Sequence, residues 1–422
     1  MHPQPSHGEQ DAVRASDAPG GVAHVWSEYR RDVERVLGLA RSHLSMEVAW
    51  VSEFAGGEQT FSVVDDGGSG YGPREGTAIP LPETYCRRVV DGRLPPLVPD
   101  ARAHPVTREL PITVEADIGA YVGFPIRSDD AVVGLLCCMD PHARRELEPG
   151  GTATMSMLAA LLGDLLERSS RLSRKHDAVR SRIAAALGGR GLAMALQPIV
   201  ATDTGRLVGV EALARFPVDG PAAWFADAET VGLRSALEGT TAALALDRLD
   251  ELAPQTLLSL NLSPTLVAEG ALESLLADVD PTRVVLEVTE HAAIPDYAAL
   301  HRALAPHRSA GLQLAVDDAG AGYASFRHIL NLRPDLIKMD ISLVSGIDRD
   351  PAQQALAESM LTFAERSDAI LLAEGVERVE ELALLTSLGV PLVQGFLVGR
   401  PSLVPPPQTI VLPDVREGLP VG

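Results

Sequence analysis

Leu314-Ala315-Val316-Asp317-Asp318-Ala319-Gly320-Ala321-Gly322-Tyr323 joins an apolar run of strand character to two adjacent carboxylates and a glycine-rich turn. Two carboxylates about 4 Å apart repel by roughly 4 kcal/mol at an effective dielectric near 20. Protonation, a basic side chain or a metal ion can each answer that repulsion. Asp-Asp followed by Gly is also ordinary turn chemistry, so the stretch alone leaves both readings open. The segments around it bear on the choice.

Apolar segments alternate with helical periods through the second half of the chain. Strands are expected over 193–200, 207–212, 257–262, 283–288, 312–317, 336–341, 370–373 and 392–393, and helices over 242–252, 297–307, 351–366 and 379–388. Eight strands in such alternation over roughly 215 residues fit an α/β fold closed as a barrel. An open doubly wound sheet is the alternative. No Gly-x-Gly-x-x-Gly follows the first strand, which argues against a dinucleotide cofactor.

In a barrel the C-terminal strand ends surround one mouth. Here those ends carry Glu211 with Arg215 beyond it, Asn261, Glu287 with Glu290 beyond it, the Asp317–Asp318 pair, Lys338 and Asp340, Glu374 and Glu377, and Gln394; the first strand carries Gln197. Lys338 and Asp340, two apart, are expected on one strand face. Singly, each has a plain structural explanation: a surface strand for Glu211 or Glu287, a helix cap at Asn261-Leu262-Ser263-Pro264, an ion pair between Lys338 and Asp340. Their recurrence at the same place in successive units argues for one shared site. Oxygen-rich ligands without Cys or clustered His point to Mg²⁺ or Mn²⁺ rather than structural zinc. Several carboxylates together suggest two ions, an arrangement suited to in-line attack of water on a phosphodiester.

Composition narrows the partners. The 422 residues are 46% hydrophobic and 22% charged, with a formal net charge of -21. That charge argues against nucleic acid or an anionic membrane as partner. Three cysteines, Cys86, Cys137 and Cys138, are unlike a secreted disulfide framework. The start lacks a signal-peptide pattern, and no stretch is apolar enough to span a bilayer. A cytoplasmic protein is the expectation.

The first half reads differently. Residues 1–22 have the composition of a disordered tail. A helical period over 25–44, strand-like pieces at 48–51, 61–64, 120–126 and 132–139, a short helix at 83–90 and a loop-rich stretch at 95–111 suggest an α+β domain over 23–153. Met155, Leu158, Leu162, Leu165, Ser169, Leu172, His176, Val179, Ile183 and Ala186 then alternate by threes and fours, a heptad pattern over a 154–189 connector. A parallel two-helix seam or a helix packed on its own domain gives such a pattern. The barrel is expected over 190–404 and an irregular tail over 405–422.

Glu83-Thr84-Tyr85-Cys86-Arg87-Arg88-Val89-Val90-Asp91-Gly92, Pro99-Asp100-Ala101 and the stretch Gly119-Ala120-Tyr121-Val122-Gly123-Phe124-Pro125-Ile126 leading into Gly134-Leu135-Leu136-Cys137 resemble a GAF domain. The resemblance implies a regulatory domain that takes a small molecule or other signal and often dimerises, so a homodimer is expected. It does not identify the ligand. Cys86 is either a chromophore, haem or metal anchor or a buried inert thiol, and Cys137-Cys138 reads as core.

The second half resembles an EAL domain, the cyclic di-GMP phosphodiesterase family. The matches are Gln197-Pro198-Ile199-Val200, Glu211-Ala212-Leu213-Ala214-Arg215, Asn261-Leu262-Ser263, Glu287-Val288-Thr289-Glu290, Asp317-Asp318-Ala319-Gly320-Ala321-Gly322, Lys338-Met339-Asp340, Ala373-Glu374-Gly375-Val376-Glu377 and Gln394-Gly395-Phe396. The resemblance implies a modified TIM (β/α)8 barrel whose first strand runs antiparallel to the rest. It implies hydrolysis of cyclic di-GMP to linear pGpG under GAF control; a catalytically weak or silent cyclic di-GMP receptor is the alternative. By the same resemblance Glu211, Asn261, Glu287, Asp317 and Asp318 would hold two Mg²⁺ or Mn²⁺ ions. Lys338, Glu374 and Gln394 would serve the attacking water, with Glu290 steadying the loop after Asp318. Gln197, Leu213 and Arg215 would hold substrate, Arg215 as a charge-assisted donor to phosphate. The family loop usually reads Asp-Asp-Phe-Gly-Thr-Gly, so Ala319 and Ala321 are departures beside intact carboxylates. No Gly-Gly-Asp-Glu-Phe cyclase signature occurs.

Overall fold

The computed structural model describes residues 21–129, 131–147, 151–289, 294, 296–320 and 325–413. The tail expected over residues 1–22 lies outside them except at Gly21 and Val22, where the first helix begins. The chain divides into two compact units at Lys175/His176.

In the first unit, β1 (Val48–Ala55), β2 (Glu58–Asp65), β3 (Ala78–Pro80), β4 (Leu97–Val98), β5 (Ala120–Ser128) and β6 (Ala131–Asp140) form one antiparallel sheet in the order β3-β2-β1-β6-β5-β4. Period-two alternation decides its two faces. Ala49, Val51, Val122, Leu136 and Cys138 pack with the helices Gly21–Glu28 and Arg30–Leu44 and with Met155, Leu158, Leu162 and Leu166. Val48, Trp50, Tyr121, Leu135 and Cys137 face the other way, toward the helix Tyr85–Val90.

One helix, Gly151–Leu187, carries the heptad positions. Its early seam residues belong to the first unit's core, so that unit extends past the expected boundary at 153. Ile183 and Ala186 instead join Trp224, Ala228 and Leu237 in the second unit. There Arg182 pairs with Asp227 and lies 4.5 Å above the Trp224 ring. Residues 171–178 between these anchors are exposed.

The second unit is a closed barrel of β7 (Ala193–Ala201), β8 (Leu207–Arg215), β9 (Leu257–Asn261), β10 (Val284–Thr289), β11 (Gln313–Ala319), β12 (Leu336–Met339), β13 (Ile370–Ala373) and β14 (Leu392–Gln394), each beside its successor and β14 beside β7. β7 pairs antiparallel with both β8 and β14, while the other pairings are parallel. This is the modified barrel expected from the sequence. Between β8 and β9 lies a further helix, Pro221–Thr230, and Arg234–Leu246 begins eight residues before its expected start at 242. The strand expected over 336–341 ends at Met339, because Asp340 caps the helix Ile341–Val344 by accepting from Ser342 N at 2.9 Å. The tail is not free of the barrel: Gln408 O accepts from Leu207 N, Ile410 N donates to Gly205 O, and Ile410 and Leu412 pack against the core. Residues 414–422 lie outside the described part.

Inside the barrel sits an apolar layer of Ile199, Val285, Ala315, Leu336, Leu372 and Leu392. Side chains two apart on a strand share a face. Two residues beyond this layer come Glu287, Asp317, Lys338, Glu374 and Gln394, all toward the C-terminal mouth. β7 runs the other way, so its contribution, Gln197, comes two residues before Ile199, and it pairs in register with Glu211. Alternation over a packed apolar floor thus gathers the polar residues in one layer.

Candidate active site

Lys338 is the centre of that layer. It is 1% exposed, and its Nζ lies 2.7 Å from Glu374 Oε1, 2.8 Å from Asp317 Oδ1, 2.9 Å from Glu287 Oε2 and 3.5 Å from Glu211 Oε2. Burial alone would pull the ammonium down, but the carboxylates, Glu211 first, outweigh it and hold Lys338 charged well above its usual range. Lys338 does not share a face with Asp340, as the strand reading had it, because the strand stops between them.

One ammonium cannot neutralise four carboxylates. Burial lifts the Glu287 carboxyl well above its ordinary range, helped by the charge of Glu211, and pushes Glu374 up to about 8. Oxygens of Asp317, Asp318 and Glu374 lie within 4.8 Å of one another, a spacing that suits a shared cation. Hard divalent ions fit this donor set, which is oxygen-rich and lacks thiolate or imidazole.

The aspartate pair is built by a bulge. Val316 pairs with Ile337 and Ala319 with Met339, so Asp317 and Asp318 together oppose Lys338. Adjacent residues on a regular strand point to opposite faces; the extra residue lifts that constraint. Asp318 takes φ 55°, a left-handed conformation that Asp tolerates better than most residues. Ala319 closes the bulge and is fully buried in the barrel core. Ala321 and Glu290 lie outside the described residues.

The remaining expected residues fall into two groups. Asn261 Nδ2 donates to Glu211 Oε1 at 3.2 Å and to Glu287 Oε2 at 3.3 Å; Gln394 Nε2 donates to Glu211 Oε2 at 2.7 Å and to Gln197 Oε1 at 3.2 Å. These join the carboxylate layer directly. Leu213 and Arg215 continue the Glu211 face of β8 outward and touch none of these carboxylates in the described contacts. Arg215 donates to the Ala214 carbonyl at 3.0 Å, and Leu213 and Asn261 line a cavity of about 180 Å³.

Sequence reasoning missed two supports. Ser259, two residues before Asn261 on β9, donates its hydroxyl to Glu287 Oε1. A polar residue inside an apolar strand was the available signal. Glu381 accepts from Gly346 N at 3.0 Å and from Glu377 N and Arg378 N at 3.1 Å, holding the loop after Glu374. Glu377 itself is exposed. That loop turns at Gly375 with φ 66°, where a Cβ would come 2.2 Å from Ile341 Cγ1.

Comparison with known proteins agrees with this architecture. Residues 180–401 match the EAL domain model and residues 25–166 the GAF domain model. Cyclic di-GMP phosphodiesterase PdeF of Escherichia coli K12 is 31% identical over 150 residues, 34% of this chain and 20% of its own length. Probable cyclic di-GMP phosphodiesterase PdeB of the same strain is 28% identical over 245 residues, 54% of this chain and 46% of its own. The chain therefore spans less than half the length of either relative. The EAL domain of Xanthomonas citri FimX, solved in complex with c-diGMP, shares the fold with a TM-score of 0.50 at 19% identity, over 58% of this chain and 100% of that one. Among the described residues no helix is long and apolar enough to cross a membrane. The chain belongs to the EAL-domain family and carries a GAF domain ahead of its barrel in sequence.

Proposed function

We propose that the barrel hydrolyses cyclic di-GMP to linear pGpG. The observation that carries this reading is the single buried ammonium of Lys338 among the carboxylates of Glu211, Glu287, Asp317 and Glu374, with Asp318 beside them. So concentrated a negative charge calls for cations. Glu211, Asn261, Glu287, Asp317 and Asp318 would hold two Mg²⁺ or Mn²⁺ ions, which supply neutralisation of phosphate charge and a lower pKa for water.

The chain's own residues do the rest. Gln197, Leu213 and Arg215 bind the dinucleotide, with Arg215 turning from the Ala214 carbonyl to a phosphate oxygen. Lys338, kept charged by its carboxylates, orients the attacking water as a donor. The oxygen–phosphorus bond forms as the bond to the 3′ oxygen breaks; Glu374, ionised when cations share the site, takes the water's proton, and solvent protonates the departing 3′ oxygen, leaving a 5′ phosphate and a 3′ hydroxyl. Gln394 and Asn261 keep Glu211 and Glu287 in place.

The GAF domain regulates this step in response to a small molecule, in a cytoplasmic homodimer. Exposed Leu172 and His176, at heptad positions of the helix between the units, support a helix-to-helix seam that carries the signal. Incubation with cyclic di-GMP and Mg²⁺ or Mn²⁺ should yield pGpG. Binding without turnover would make the chain a receptor instead. Deleting part of 170–178 to shift the register should change the rate; unchanged turnover would remove the regulatory reading.

A further inference from the structure

The second face of the GAF sheet encloses a cavity of about 430 Å³, within the size range of small-molecule sites. Its walls are aromatic. Trp50 and Phe61 meet edge-on with centroids 6.0 Å apart, and Tyr85 and Tyr121 at 5.0 Å. Such walls favour a flat ligand. Two polar atoms of lining residues are buried without a hydrogen-bond partner among the described residues: Trp50 Nε1 and Gln59 Oε1. Trp50 is 4% and Gln59 1% exposed. An indole N–H can only donate and an amide oxygen can only accept, so each leaves one hydrogen bond that a bound molecule can complete.

Charge narrows the class further. No Lys, Arg or His stands among the described lining residues, and the charged ones are Glu115 and Asp117. Both are exposed, and Asp117 pairs with Arg102, so a phosphate or carboxylate entering the aromatic cavity would give up water without meeting an unpaired cation among the described lining residues. We infer that this cavity takes an uncharged or cationic planar heteroaromatic compound, which offers an acceptor to Trp50 Nε1 and a donor to Gln59 Oε1. It rejects cyclic nucleotides and aromatic carboxylates, so the signal differs in chemistry from the barrel's proposed substrate. The inference rests on the reading of this domain as a small-molecule sensor and names its ligand class.

Calorimetric titration of the full chain tests it, with quinazolin-4-one as neutral probe and a quinazolinone carboxylate and cyclic GMP as anionic ones. The neutral probe should bind once per chain, at least 10-fold tighter than either anion. Gln59→Leu and Trp50→Phe should each weaken it at least 5-fold. Ala116→Leu, which fills the half-buried rim and spares both polar groups, should weaken it as well and guards against misfolding of the other two. Tighter binding of an anion overturns the ligand class while leaving the sensor reading standing. Unchanged affinity in all three variants, or no binding of the neutral probe, also overturns the class. Turnover of cyclic di-GMP, measured separately, is independent of each result.

Discussion

Asp317 Oδ1 on β11 lies 2.8 Å from Lys338 Nζ on β12, across a bulge that sets Asp317 and Asp318 together against that one lysine. The pairing joins the only cation of the inner layer among the described residues to the strand that supplies two of its carboxylates. Lys338→Met should therefore strip the compensation from four buried or half-buried acids at once. Removing one partner of a buried pair costs roughly 3–5 kcal/mol. Denaturant unfolding in chelator should show a loss of that size, partly restored by Mn²⁺, and pGpG formation should fall at least 100-fold. A variant as stable as the parent in chelator would separate Lys338 from the charge balance assigned to it.

The bulge makes a second expectation at Asp318, whose φ is 55°. Asn keeps the tolerance for this conformation and loses the charge, whereas Ala keeps neither. Asp318→Asn should abolish turnover with little change in melting temperature. Asp318→Ala should abolish turnover and also lose about 1 kcal/mol, from the strain of a left-handed non-glycine residue. Equal melting temperatures would show that strain is not held there.

Ser259 tests a residue that supports a carboxylate of the layer. Its hydroxyl donates to Glu287 Oε1, a proposed metal ligand, and loss of such a partner commonly changes metal affinity or activity by about 10- to 100-fold. Ser259→Ala should raise the Mn²⁺ concentration needed for half-maximal turnover by about 10-fold, while Ser259→Thr should stay nearer the parent. An unchanged metal titration would leave Ser259 as packing alone.

The raised carboxyl of Glu374 gives a pH dependence of stability in the metal-free chain. Burial lifts it from 4.5 to about 8. The folded state then binds more protons than the unfolded state between those values, so this contribution is full below about pH 4.5 and is lost as pH rises through 8. In chelator the melting temperature should fall from pH 5 to pH 8.5, and Glu374→Gln should flatten the fall. A steeper fall in the variant would reverse the sign assigned to Glu374.

Much of this site was legible because strand alternation is a strong code. Glu287, Asp317, Lys338, Glu374 and Gln394 each stand two residues past an inward apolar residue, so the strand pattern alone brings them together. The reversed first strand came from family resemblance, since nothing in the period of 193–200 reveals its direction. Asp340 was misread because a strand end and a helix cap are one residue apart and both favour a polar side chain. Ser259 and Glu381 were invisible for another reason: their partners lie 28 residues away along the chain, or are backbone amides without sequence identity. The heptads of 155–186 mixed two sources, the core of one unit and the core of the other, around an exposed middle.

The most direct measurement is pGpG formation from cyclic di-GMP by the full chain with Mn²⁺, under single-turnover conditions, beside Glu211→Ala. Glu211 meets Lys338, Asn261 and Gln394 at once, so its loss should cut the rate at least 100-fold while the parent converts substrate to pGpG with one new 5′ phosphate. A parent that binds cyclic di-GMP and forms no pGpG, or a Glu211→Ala variant that keeps the parent's rate, would contradict the proposed hydrolysis.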